Sequence, residues 1–140
     1  AVVSAMLICQ MAAWYKNQGK TLVDALNAVY EKYGYYLDAL DSFVLKGKDG
    51  AEKIGALMQI FRAGGDQMFA GVQDFAKGIG DLPKENVLKF LFTDGSWLAV
   101  RPSGTEPKIK VYYSIVDPDK AAAHSRLAAL QAQIKEMIGE

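Results

Sequence analysis

Eight consecutive residues, Arg101-Pro102-Ser103-Gly104-Thr105-Glu106-Pro107-Lys108, collect several hydrogen-bond donors in a short space. Arg101 offers a planar fork that matches two oxygens of a phosphate. Ser103 and Thr105 add hydroxyls. Gly104 removes a side chain where backbone must come close, and it permits a left-handed conformation that aims N–H groups into a concave nest. Pro102 and Pro107 fix φ on either side, which lowers the entropy lost on ordering. The chemistry such a set performs is the binding of a small oxyanion. Lys108 and Lys110 project from one strand face and add positive potential. Glu106 does not suit an anion ligand; it is expected to orient Arg101 or Lys110, or to accept loop N–H bonds. On spacing alone the same residue types also make an ordinary turn.

The remaining candidates read more plainly. His124 is the only histidine, sits near the start of a helix and is assigned no role. Trp97 and Tyr112 have faces that stack on a sugar, but packing against cross-strand neighbours is the expected job. Asp38 and Asp41 form a carboxylate pair only on paper, since nothing brings them to the loop. Ser103 has no supporting histidine and reads as a donor, not a nucleophile. Cys9 lies in an apolar run and reads as a small buried hydrophobe. No Cys/His cluster has metal-ligand spacing.

The loop needs two strands to hold it. Residues 96–101 and 108–116 supply them, the second alternating Lys108, Lys110, Tyr112 with Ile109, Val111, Tyr113. Residues 87–92 precede them across Asp94-Gly95, a tight-hairpin signal, and residues 72–77 make a fourth strand. Two helices frame this run. The first begins at an Asp49…Glu52 capping box, carries Ile54, Leu57, Met58 and Phe61, and ends at Gly64-Gly65. The second begins at Asp117 with Pro118 in its first position and carries Leu127, Leu130, Ile134 and Met137. Upstream, residues 1 to about 18 read as a buried apolar helix. Thr21 and Asp24 cap another that carries Leu22, Leu26, Val29 and Tyr33, and residues 35–45 are extended or mixed. Lys46-Gly47-Lys48 reads as a solvated linker, and the domain boundary falls there. The expected fold is α+β, a four-stranded, mainly antiparallel sheet with helices on one face, preceded by two helices.

Sixteen basic residues balance sixteen acidic ones, which counts against a general nucleic-acid binder built on a basic face. The first apolar run is shorter than the roughly 20 residues a membrane helix needs, so no membrane role is expected. A single cysteine suits a reducing, cytoplasmic setting. The chain opens at Ala1 already inside an apolar pattern, as expected of a piece of a larger protein.

Arg101-Pro102-Ser103-Gly104-Thr105-Glu106-Pro107 resembles the phosphate-binding loop in the last domain of the α-D-phosphohexomutases. Thr93-Asp94-Gly95-Ser96-Trp97 and Lys108-Ile109-Lys110-Val111-Tyr112-Tyr113 resemble the strands beside it, the latter in a form most like phosphoglucomutases. The resemblance implies a TATA-binding-protein-like last domain over residues 47–140, with residues 1–46 as the helical remnant of a third, sugar-reading domain. It implies an enzyme that interconverts hexose 1-phosphate and hexose 6-phosphate through a phosphoserine and a bisphosphorylated intermediate. Magnesium and hexose 1,6-bisphosphate serve the full-length enzyme, and neither is expected on this chain. Arg101, Ser103, Gly104 and Thr105, with Lys110, would hold the phosphate that is not transferred. The phosphoserine segment and the three-aspartate metal loop have no counterpart here, so the piece alone should be inactive. The alternative is a non-catalytic phospho-sugar binding module. Residues 1–45, lacking partners, should self-associate.

Overall fold

The computed structural model describes residues 1–45 and 49–139, and the side chains of residues 65–68 lie outside that description. The linker and boundary read at Lys46-Gly47-Lys48 fall outside the described residues. Along the chain run α1 (Val2–Lys16), α2 (Leu22–Tyr33), β1 (Tyr35–Val44), α3 (Gly50–Met68), β2 (Gly71–Asp74), β3 (Leu88–Leu91), β4 (Trp97–Pro102), β5 (Lys108–Asp117) and α4 (Lys120–Ile138). The fold is α+β, with one open antiparallel sheet in the order β1-β5-β4-β3-β2.

The sheet has five strands where four are expected. The added strand is β1, paired with β5 along its whole length, from Tyr35 opposite Asp117 to Val44 opposite Lys108. Its sequence alternates imperfectly, with Asp41 on the covered side, so periodicity alone underestimates it. Asp41 is accommodated because Gln131 Nε2 donates to both carboxylate oxygens at 3.1 Å. Asp38, three residues earlier on a period-two strand, faces the other side. The two carboxylates therefore do not pair.

The core is the covered face of the sheet. Leu88, Val100 and Val111 lie in one cross-strand row, and Phe90, Leu98 and Tyr113 in the next. Leu57, Met58 and Phe61 of α3 and Ala123, Leu127, Leu130 and Ile134 of α4 close over these rows, all buried, and Ile54 of α3 is buried nearer the β4–β5 bend. The apolar stripe read for α3 is thus its packed face, while Met137 of α4 is 40% exposed. Tyr113 is buried with its hydroxyl unpartnered, and burial, helped by the Asp41 charge, pushes the phenol up.

Several local expectations are corrected. The hairpin at Asp94-Gly95 is real but longer than two residues. Phe92 N–H donates to Ser96 O at 2.9 Å and Gly95 takes φ 89°, the three-residue loop with a left-handed glycine. Asp49 makes no side-chain cap, and α3 runs past Gly64-Gly65 to Met68. The cap of α4 is Asp119, which accepts from Ala122 N–H at 2.7 Å. Asp117 is engaged elsewhere: it accepts from Asp119 N–H at 2.9 Å and from Arg126 at 3.0 Å. Arg126 also binds Asp94 and the Val116 carbonyl, which ties the hairpin to α4. The Thr21–Asp24 capping box forms as read.

The first helix is the largest departure. No residue of α1 is buried, and Cys9 is exposed. Val2, Met6, Leu7, Ile8, Met11 and Trp14 face solvent, and among the described residues α1 touches little besides α2. Among the described residues no helix is long and apolar enough to cross a membrane.

Two outcomes test this packing. Phe90→Ala should cost about 3–5 kcal/mol in urea unfolding, because it opens a cavity beneath both helices, while Leu82→Ala on the surface should change stability by less than about 0.5 kcal/mol. Acid titration gives the second. The Asp119 N–H and Arg126 hold the Asp117 carboxyl below the usual carboxylate range. For Asp94, partial burial works upward, but the Ser96 N–H and Arg126 outweigh it and its carboxyl is also lowered. A depressed folded-state value contributes stability above the unfolded value of about 3.9, and that stability is lost as pH falls through the folded value. Stability should therefore decline below about pH 4, and the decline should be shallower in Arg126→Met.

Candidate functional site

The bend between β4 and β5 spans the five residues from Ser103 to Pro107. Its base is closed by Ser103 N–H donating to Lys108 O at 2.9 Å, one step beyond the last ladder pair, Pro102 opposite Ile109. Lys108 N–H donates to Glu106 O at 2.7 Å, which tightens the far side. That side is then clamped to the rest of the fold. Leu45 N–H donates to Pro107 O at 2.9 Å, and Gly50, at the start of α3, sits against Pro107. A Cβ on Gly50 would lie 2.4 Å from Leu45 O and 3.3 Å from Pro107 Cβ, so the close approach needs glycine there.

The sheet register brings two of the sequence-selected residues together. Arg101 lies directly opposite Lys110. Cross-strand partners share a face with Cβ atoms roughly 5 Å apart, and like charges there repel. Among the described residues neither cation has a hydrogen bond or an ion pair from its side chain, and no carboxylate neutralises the pair. Beyond Arg101 the bend borders a hollow of about 430 Å³, lined by Glu85, Asn86, Val87, Arg101, Pro102, Ser103 and Gly104. On its other side a second hollow of about 350 Å³ lies between the loop and the start of α3, bordered by Ala51, Ile54, Ser103, Gly104 and Thr105. Ser103 and Gly104 line both. Thr105 lines only the second, and Lys110 lines neither, standing beside Arg101 on the strand face.

Two details differ from the sequence reading. Gly104 does not take the left-handed conformation, and an added Cβ would meet nothing within 4 Å. Its use is openness, since bare backbone borders both hollows. Glu106 orients neither Arg101 nor Lys110; its carboxylate is 2.7 Å from the Lys108 ammonium. Lys108 is thereby largely neutralised, and the net positive charge lies with Arg101 and Lys110. Trp97 packs under Lys89, whose ammonium is 4.4 Å from the ring centroid, in keeping with a cross-strand role. His124 is exposed on α4. Sequence reasoning passed over Asn86 and Glu85, which the 75–87 connection brings to the first hollow; the one local signal was an unassigned polar stretch before β3.

Among the described residues no three His, Cys, Asp or Glu side chains gather in a group that could hold a metal ion. What the arrangement can do is bind an anion: two unneutralised cations on one strand face, two hydroxyls and open backbone at a bend held from both ends.

Comparison with known proteins gives a consistent result. Residues 16–137 match the family described as phosphoglucomutase/phosphomannomutase, C-terminal domain. A phosphoglucomutase of Staphylococcus aureus (strain bovine RF122 / ET3-1) is 39% identical over 137 residues, covering 85% of this chain and 24% of its own length. One from Staphylococcus haemolyticus is 35% identical over 131 residues, covering 82% and 24%. Among solved structures, the open form of the exocytosis-sensitive phosphoprotein pp63/parafusin from Paramecium superposes with a TM-score of 0.64 at 17% identity, over 89% of this chain and 24% of that one. The chain thus spans about a quarter of the length of the relatives it matches.

Two glycines separate the mechanical part of the loop from its open part. Gly50→Ala should destabilise by about 1–3 kcal/mol and displace Pro107, because backbone has to move. Gly104→Ala should leave the unfolding free energy within about 0.5 kcal/mol of wild type. Equal costs at the two positions would contradict this geometry.

Proposed function

This chain belongs to the phosphoglucomutase/phosphomannomutase family, and on that footing we propose that it is the phosphate-anchoring C-terminal part of an enzyme that interconverts hexose 1-phosphate and hexose 6-phosphate. The observation that carries the reading is the Arg101–Lys110 pair, two cations held face to face with no carboxylate between them. Such a pair is costly by itself and is relieved by a dianion. Arg101 takes two phosphate oxygens in its fork, Lys110 adds charge, Ser103 and Thr105 donate hydroxyls, and the backbone at Gly104 lets the ligand approach. The loop then acts by positioning and by electrostatic anchoring of the phosphate that is not transferred.

In this reading the phosphoserine, the three-aspartate magnesium site and the sugar-reading loop belong to parts of the longer enzyme outside this chain. Hexose 1,6-bisphosphate is the intermediate that the longer enzyme turns over, and this chain alone supplies binding without turnover. The single cysteine supports a reducing, cytoplasmic setting. The exposed apolar surface of α1 supports self-association of the isolated chain through residues 1–45. A sedimentation profile that stays monomeric across micromolar concentrations would overturn that last point.

The test of the site is an NMR titration of this chain with glucose 6-phosphate, following the amides of residues 101–110. Binding in the millimolar range is expected, about 4 kcal/mol, since one loop lacks the enclosing cleft. Arg101→Ala should weaken it at least tenfold, and added salt should weaken it as well. If Arg101→Ala bound as tightly as wild type, the assignment of the loop would fail.

A further inference from the structure

The hollow beside Arg101 has a side chain on its rim that is held in one orientation from behind. Arg62 of α3 is fixed at two points. Its Nε lies 3.2 Å from Asp74 Oδ2, and its Nη2 donates to Asn86 Oδ1 at 2.6 Å. Asp74 is itself held by Ala76 N–H at 3.1 Å. Partial burial works against the Asp74 charge, yet Arg62 and the Ala76 N–H outweigh it, and the carboxyl lies below its ordinary range. The Arg62–Asp74 brace is therefore intact at neutral pH.

A guanidinium has donors and no acceptor, so the Asn86 atom facing it must be the carbonyl oxygen. The Nδ2 end, with two protons, is the part left over. Among the described residues no hydrogen bond engages it. Asn86 borders the hollow together with Arg101, Ser103 and Gly104. Asn86 lies two residues before β3, where Val87 N–H donates to Glu85 O at 2.8 Å and turns the chain, and it shares the hollow with Pro102 at the start of the bend. A phosphate presents more acceptor sites than one fork satisfies, and a neutral amide donor adds a bond without adding to the Arg101–Lys110 repulsion. Glu85, the acid on the same rim, repels an anion and leaves Asn86 as the donor on that side.

We propose that Asn86 is a further anion-binding residue of this site, its Nδ2–H donating to a phosphate oxygen held beside Arg101 and Ser103, with Arg62 as the positioning residue behind it. The proposal rests on the phosphate-anchoring role of the loop. Its test uses the ¹⁵N-labelled chain titrated with inorganic phosphate, the Asn86 side-chain NH₂ signals being identified by their loss in Asn86→Asp. Those signals should shift with the same Kd as the backbone amides of residues 101–110. Asn86→Ala should weaken phosphate by about fivefold, the size of one hydrogen bond. Asn86→Asp, which still accepts from Arg62, should weaken it at least as much. Arg62→Met should produce the same loss as Asn86→Ala, and the double variant no further loss, since both act through one donor. Side-chain signals that stay still to saturation, or an Asn86→Ala variant within twofold of wild type while Arg101→Ala loses binding, would overturn this proposal and leave the loop assignment standing. A wild-type chain whose 101–110 amides do not respond would remove both.

Discussion

The β4–β5 ladder is the constraint on which the rest depends. Val100, Val111, Leu98, Tyr113 and Ile109 are buried on its covered face. A slip of one residue would turn the slipped strand's share of that set to solvent and drive Arg101 or Lys110 into the core. The hydrophobic register thus holds two like charges opposite each other, an arrangement that local electrostatics opposes. Burial of a sheet face contributes far more than one repulsion at the solvent side costs, so the core decides. The open face carries that repulsion, which a bound oxyanion would relieve.

The bend at the end of this ladder is held from two directions. Along the strands, Ser103 closes back on Lys108. Across the fold, Leu45 at the end of β1 and Gly50 at the start of α3 grip Pro107. The prolines restrict φ, but restriction alone does not choose where the loop lies. The contact with Gly50 does, and it links the loop to the same helix that buries Met58 and Phe61 in the core. The Arg62 brace lies further along that helix, so α3 supports both sides of the first hollow.

Much of this was legible from residue order. The α3 stripe, the alternation of β5, the Thr21–Asp24 cap and the bend itself are short-range features, and short-range physics reads them. The misreadings share one cause. Asp117 looks like a cap until Arg126, nine residues on, takes its carboxylate. β1 looks ambiguous until Gln131, ninety residues away, satisfies Asp41. The apolar α1 looks buried because the pattern states what a helix would cover, and not whether a surface is there to cover it.

The sequence by itself determined which chemistry is present: a guanidinium, two hydroxyls and a glycine between prolines, set between two strands whose alternation keeps Lys110 off the core. Those facts depend on side-chain type and on the period of two, and both are local. Tertiary structure alone decided the partners. It put Lys110 opposite Arg101, gave Lys108 to Glu106, kept Gly104 out of the left-handed region and brought Asn86 to the hollow with its oxygen bound by Arg62. Pairing across strands and ion pairing between distant segments depend on how the core closes, and the order of residues specifies that only through the whole fold.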